Sequence, residues 1–400
     1  MTSLKSANFD HIIISSSKSW DLTTSSFLNS GGKTVIFKAG HYLLDRQLLI
    51  STDYVTLICE DGAQVTISLS DETNGLVISD CAFVTIKGLR IRAGHGNSIP
   101  ITLSAVANCL VTDCFFYGNS NYFTVYWAGP KLVKGLETFK GYTQDHLDHN
   151  NRFCHNVVYG DWNGDCLTFA LQKNGICSHN IIRGGKLAIY LCSRSQIHHN
   201  YIVDSRSHGI VISWPSHKIT VHHNQIYRPK DGGITTMNQL EHGANPSTNF
   251  QLKVSHNFIE DGLWSGIEIS DGHGVIIESN TIKRCHGSGI SLTRSIHCQV
   301  SQNKISDCTK NILLDAHSNV NHVTENKMVG HKGKTDLAVH LVDDTSENTV
   351  SNNIILGYPC IKIGNSIYKN CYQNDNQDSN QIQFKMNSFH PYLNYHDQIG

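Results

Sequence analysis

In the stretch YGDWNGDCL two carboxylates, Asp161 and Asp165, stand four residues apart; farther along lie His208, in SHG, and Glu268, in GIEIS. A carboxylate or an imidazole can move a proton to or from a reacting atom, provided a cation holds the charge that develops. Arg194 and Lys218 supply such cations, with Arg183 and Lys186 in adjoining stretches. The same carboxylates suit a second chemistry, an inverting hydrolysis, which sets two of them about 6.5–9.5 Å apart with water between. Asp165 with either Asp161 or Glu268 is the candidate pair, and the sequence does not supply the distance. Asp161, Asp165, His208 and Glu268 are therefore the catalytic candidates.

These groups sit in a chain of 400 residues that is 39% hydrophobic and 16% charged, enough for a large core or for two domains. The formal charge of -1 gives no summed field that favours nucleic acid or anionic membranes, although a local basic strip can still hold a polyanion. The opening MTSLKSANFDHIIISSS has no charged region followed by an apolar one, and no later segment is apolar for about 18 residues. Neither a secretory signal nor a membrane span is expected. Thirteen cysteines without a CxxC pair are expected to be mostly buried thiols, in a reducing compartment or a protein released without a signal peptide. No GxGxxG after a strand, P-loop, HExxH or G-x-S-x-G is present, and no cofactor or metal is expected, calcium having no support in the residues.

What positions the candidates is a repeat. QIHHNYI at 196–202 returns as TVHHNQI at 220–226, and the same asparagine recurs as Asn156, Asn180, Asn200, Asn224, Asn257, Asn280, Asn303, Asn326 and Asn353. The intervals are 24, 20, 24, 33, 23, 23, 23 and 27 residues. Before each asparagine comes an alternating apolar phrase such as HGIVISW or SGIEISD, whose period of two marks a short strand with one buried face. A unit this short has no room for a crossover helix. One such strand cannot bury its face alone, whereas coils stacked in parallel at about 4.8 Å bury a continuous core.

The expected fold is all-β: a right-handed, single-stranded parallel β-helix of about 11–12 coils over residues 26–372, capped by 1–25 and by a cap or tail at 373–400. Equivalent asparagines should stack into a ladder of amide hydrogen bonds, with His155, His179, His199, His223 and His256 in a row beside it. A stacked row lies in a line, whereas zinc asks for ligands that converge, so these histidines are read as structural. Cys285 and Cys308 occupy equivalent positions and should stack as free thiols, a disulfide being geometrically conceivable.

The repeats, with the opening segment GGKTVIFKAGHYLLDRQLLISTDYVTLICED at 31–61, resemble the right-handed β-helix repeat superfamily of pectate lyases, polygalacturonases, alginate epimerases and lyases, and phage tailspikes. The resemblance covers roughly residues 30–370 and implies the fold more than a chemistry. Asn163-Gly164-Asp165-Cys166-Leu167 and Ser207-His208-Gly209 are similar in outline to polygalacturonase motifs, but the aspartate pair is reduced to Asp165 and the histidine lies about two coils downstream. Tyr159-Gly160-Asp161 with Asp165 is similar to the Y-G-x-D-P-H-D signature of alginate epimerases, without its Pro-His core. Pectate-lyase calcium aspartates have no clear counterpart.

Two insertions, 127–150 and 238–249, break the repeat after the first strand of a coil and should wall a groove about three coils, or roughly 15 Å, long. Such a groove suits a few sugar units. Tyr190 and Trp214 can stack on sugar rings, and Arg194, Lys218, Asn238 and Asp271 complete the substrate-binding candidates. The expected function is cleavage or epimerisation of an acidic polysaccharide by acid/base chemistry, with no nucleic-acid or membrane partner. The alternative is a non-catalytic structural or glycan-binding β-helix from a virion, appendage or adhesin, in either case with homotrimers common among relatives.

Overall fold

The structure, a computed structural model, describes residues 11–15, 28–96, 98–118, 123–129, 147–160, 164–213, 216–237, 249–330, 337–342 and 344–357, with the short strands 362–363, 371–372 and 377–378. The expected caps at 1–25 and 373–400 and the greater part of both insertions lie outside these residues.

Each repeat divides its alternating apolar residues among three short strands. In one coil these are Asp165–Ala170 in a first sheet, Ile176–Ser178 in a second and Ile181–Arg183 in a third. Every strand pairs in parallel with its equivalent one coil on, which builds three parallel sheets of 15, 15 and 14 strands along a solenoid of about 12 turns. Among the described residues no helix is long and apolar enough to cross a membrane.

Register keeps like side chains in file. In the first sheet Leu167 pairs with Leu187, then Ile210, Ile234 and Ile267 follow in turn, and all five are fully buried. Phe153, Cys177, Ile197, Val221 and Val254 form the corresponding inner row of the second sheet. A one-residue slip would turn each row out to water, so the hydrophobic pattern itself fixes the pairing.

The corners between second and third sheets explain the recurring His-Asn phrase. The residue before each asparagine sits in the left-handed region, with φ of 55 to 58° at His155, His179, His199, His223 and His256. Histidine and asparagine tolerate that region better than most side chains. The asparagine then offsets the strained turn with hydrogen bonds: the backbone N–H and Nδ2 of Asn200 both donate to Asn224 Oδ1, at 3.0 and 2.9 Å, and Nδ2 also donates to the Cys177 carbonyl at 3.0 Å. The pattern repeats from Asn156 to Asn353.

The five histidine rings stack along the axis at 4.8 to 5.0 Å with interplanar angles of 1 to 15°. His198 and His222 form a second file at 4.8 Å, and His198 Nδ1 lies 2.9 Å from His199 Nδ1. Burial and neighbouring imidazoles hold His179, His222 and His223 below the ordinary histidine value, and His198 is pushed down to about 4. Among the described residues no group of three or more His, Cys, Asp or Glu is arranged to hold a metal ion.

Candidate acid/base site on the first sheet

The outward residues of the first sheet assemble a polar seam near the corner where the third sheet hands over to the first. Asp165 opens its strand and is almost fully buried. Its carboxylate is held by three donors: Lys186 Nζ at 3.0 Å from Oδ1, Thr168 Oγ1 at 2.8 Å and Tyr190 OH at 3.1 Å, both to Oδ2. Lys186 arrives by register, since it pairs with Asp165 one coil on. Gly184, two residues earlier, takes a φ of +90°, and a Cβ there would strike the Gly160 carbonyl, so only glycine lets this turn deliver Lys186. Tyr190 is held well above the ordinary phenol value, first by burial and then by the charge of Asp165. Tyr126 is raised for the same two reasons.

His208 stands farther along the seam, where burial keeps its pKa below the usual histidine value despite Asp231. Its Nδ1 accepts the Gly232 N–H at 3.0 Å and lies 3.2 Å from Thr235 Oγ1. An Nδ1 that accepts a backbone proton leaves the neutral ring's own proton on Nε2. Gly232 allows this approach because a Cβ would press on the Thr235 hydroxyl and lie 3.3 Å from the imidazole.

Glu268 is on the same face but not beside Asp165. Thr168, Ala188, Val211, Thr235 and Glu268 are successive partners, which puts four strand steps, about 19 Å, between the rows of the two acids. That is too far for the pair of carboxylates an inverting hydrolysis requires. Burial raises the Glu268 carboxyl, an effect that the Trp264 side chain partly offsets.

The substrate-binding candidates divide. Tyr190 joins the Asp165 cluster. Arg194 and Lys218 lie in left-handed turns at the opposite corner, between first and second sheets. Asp271 is engaged by the Arg294 guanidinium, at 2.8 Å to Oδ1 and 3.0 Å to Oδ2. Asp161, Trp214 and Asn238 lie outside the described residues. In chain order, 130–146 follows the first-sheet strand Phe123–Gly129, and 238–248 follows Ile234–Met237.

Lys186, read from the sequence only as a cation in an adjoining stretch, proves to be the ion-pair partner of Asp165, and Tyr126 was not singled out from the sequence. The pairing of Tyr126 with Thr168, one coil above, is the register signal that would have found it. Asp148 lies apart, paired in register with Gln172 at the corner between first and second sheets; burial pushes its carboxyl up to about 7, and Oδ2 has no hydrogen-bond partner. At the third-sheet side of the corner, an open cavity of about 610 Å³ is lined by Arg228, Lys230, Leu263, Arg284 and His286, among others. Its guanidiniums are engaged, Arg228 by Asp204 and Arg284 by Asp261.

Comparison with known proteins agrees with this architecture. Residues 240–355 match the family described as right handed beta helix region. No curated protein matches the chain. Among solved structures, the A-module of mannuronan C-5 epimerase AlgE6 from Azotobacter vinelandii aligns with a TM-score of 0.57 at 15% identity, covering 87% of this chain and 91% of that one. DFA-IIIase from Arthrobacter chlorophenolicus A6 without its lid gives 0.55 at 12% identity over 86% and 89%. Tailspike protein 3 of bacteriophage CBA120 gives 0.58 at 11% identity, over 88% of this chain and 57% of that one. At these identities what is shared is the fold, a right-handed parallel β-helix.

Proposed function

We propose that this β-helix acts on an acidic polysaccharide by proton transfer at the carbon beside a uronate carboxylate, at the seam formed by Asp165, Lys186, Tyr190 and His208. The observation that carries the reading is the triple contact at Asp165, which couples a cation, a carboxylate and a phenol within hydrogen-bonding reach. A substrate carboxylate that draws Lys186 toward itself weakens the hold on Asp165. Asp165 then takes the proton from the sugar carbon, and Tyr190, which burial and the Asp165 charge keep protonated, gives its phenol proton to the leaving oxygen in an elimination and recovers a proton from Asp165 afterwards. His208, about two strand steps or 10 Å along the axis, offers its Nε2–H to the substrate as a hydrogen-bond donor. Glu268 lies too far from Asp165 for that pair to perform a two-carboxylate hydrolysis. Fold neighbours named as mannuronan epimerases fit this chemistry.

The test is digestion of alginate, pectate and hyaluronan in deuterated water, following unsaturated products by absorbance and deuterium at the sugar carbons by NMR. Loss of both signals in Tyr190→Phe and Asp165→Asn supports the reading. Full turnover in Tyr190→Phe would refute the proton path.

A second reading has one specific observation in its favour: the three donors that saturate Asp165 make it a self-sufficient structural knot. In that case the chain is a non-catalytic glycan-binding or structural β-helix, as a tailspike-like fold allows, and self-association into trimers belongs with this reading.

A further inference from the structure

The outer face of the third sheet carries charge that the first-sheet seam does not use. Its strands bury their central residue and turn out the two beside it, so in Arg90–Arg92 both arginines are exposed while Ile91 is buried. Register stacks the outward residues into two files. Arg92 is followed by Tyr117, Tyr159 and Arg183 in one, and Arg90 by Phe115 in the other.

Here the rings are beds for cations. The Arg92 guanidinium lies 5.2 Å from the centre of the Tyr117 ring, and that of Arg183 lies 5.5 Å from Tyr159. The rings also pack on one another, Tyr117 to Tyr159 at 6.1 Å and Phe115 to Tyr159 at 6.5 Å. A ring face attracts a guanidinium without neutralising it and leaves the N–H fork to a further partner. Arg183 also meets Asp204 at 3.4 Å, whereas among the described residues neither Arg90 nor Arg92 is in an ion pair with a carboxylate. Thr66, Arg90, Ile91, Arg92, Phe115 and Tyr117 line a cavity of about 280 Å³, which suits a single sugar ring.

The rest of the sheet continues the same sign. Lys283 lies 5.3 Å from the centre of the Phe258 ring, and Lys304 pairs directly with Lys327, both of them exposed. Like charges set opposite one another on neighbouring strands repel. From Arg90–Arg92 to Lys327–Val329 is nine strand steps, about 43 Å. Over that length the outward strand positions hold Arg90, Arg92, Arg183, Lys283, Lys304 and Lys327 against one carboxylate, Glu260, which Arg284 engages at 2.8 Å. In a chain of formal charge -1 this is a local excess.

That excess selects the occupant. A neutral glycan would leave the cations unopposed, and a second copy of the chain meeting this face with its own would add charge of the same sign. A uronate polymer brings one carboxylate per sugar, with apolar C–H faces for the rings between. We propose that the outer face of the third sheet is a second binding strip for an acidic polysaccharide, separate from the Asp165 seam, and that the Arg90–Arg92 cavity holds one uronate by its carboxylate. The strip rests on the acidic-glycan reading of the proposed function but not on catalysis.

Fluorescence anisotropy of labelled oligouronates from pectate and alginate, titrated with the full chain at low salt, tests it. Wild type should bind at least one of them, added salt should weaken the binding, and methyl-esterified oligogalacturonate should bind poorly. Arg90→Gln with Arg92→Gln should weaken binding about tenfold or more, the scale of a lost hydrogen bond between charged groups. Arg90→Lys with Arg92→Lys should weaken it less. Lys304→Gln with Lys327→Gln should weaken it only for chains long enough to reach from the cavity. Thermal melts of each variant confirm folding. Tyr190→Phe should bind as wild type even when turnover is lost, which separates failure of this proposal from failure of the proton path. Unchanged binding by the folded double glutamine variant at Arg90 and Arg92 overturns the strip, as does a wild type that binds no oligouronate. Tighter binding of labelled oligothymidylate, lost in the same variant, would give the face to nucleic acid and overturn the glycan. A change in sedimentation by that variant, with oligouronate binding intact, would make the face a protein contact and also overturn it.

Discussion

Lys186 Nζ lies 3.0 Å from Asp165 Oδ1, and the two side chains retain only 19% and 8% of their exposure. The pair joins consecutive coils through charge at a point where most of the first sheet is joined by backbone hydrogen bonds alone. Removing one partner strands the other in a poorly solvated place, a loss of about 3–5 kcal/mol for buried pairs. Asp165→Ala should therefore lower unfolding stability by about 3 kcal/mol, read from urea denaturation. An Asp165→Leu, Lys186→Met double variant should recover much of that loss while remaining inactive.

The asparagine ladder should be the costliest single-residue feature outside the apolar rows. Asn257 accepts from Asn224, donates to Asn280 and donates to the Val221 carbonyl. Asn257→Ala leaves several buried groups unpaired at about 1–3 kcal/mol each. A drop of roughly 3 kcal/mol in chemical denaturation is expected. Asn257→Asp should be nearly as damaging, since a carboxylate cannot donate to the next rung.

Acid should loosen the histidine corner. His179, His198, His222 and His223 have folded pKa values below the unfolded value of 6.5, with His198 at about 4. The unfolded chain thus binds more protons in that interval, so stability is full above pH 6.5 and falls as pH drops toward 4. Asp148 runs the other way: its carboxyl is raised to about 7, so stability is lost as pH climbs from the ordinary carboxylate range toward that value. Melting curves across pH should show His179→Asn with His198→Asn flattening the acid limb and Asp148→Asn flattening the neutral limb. An acid limb unchanged in the double histidine variant would contradict this account.

The thiols should be inert in the folded protein. Eleven cysteines among the described residues are free, ten of them buried, and burial raises Cys114, Cys166 and Cys192 to about 12. Titration with a thiol-specific disulfide reagent at pH 8 should therefore proceed quickly only after denaturation. Rapid reaction of many thiols in native buffer would contradict the packing described.

The architecture was legible because a solenoid writes its period into the chain: the Asn interval and the two-residue alternation each depend on local contacts with the next coil. Asp165 and Tyr190 were legible as outward residues for the same reason. Their union was not, because it depends on the bulge that shifts register between Asp165 and Leu167 and brings Lys186 alongside. Glu268 was grouped with Asp165 through similarity of type; only the count of strand steps separates them.

The covalent chain of this molecule runs around the axis while its hydrogen bonds run along it. A pull along the solenoid is therefore borne by the backbone pairings, the asparagine ladder and the ion pair alone, with no peptide bond directly in line. A pull across it meets the full chain. The protein should be a rod that is stiff against bending yet unwinds one coil at a time from its ends under axial tension. The Asp165 seam, placed well inside the stack, would keep its geometry until many outer coils had been paid out.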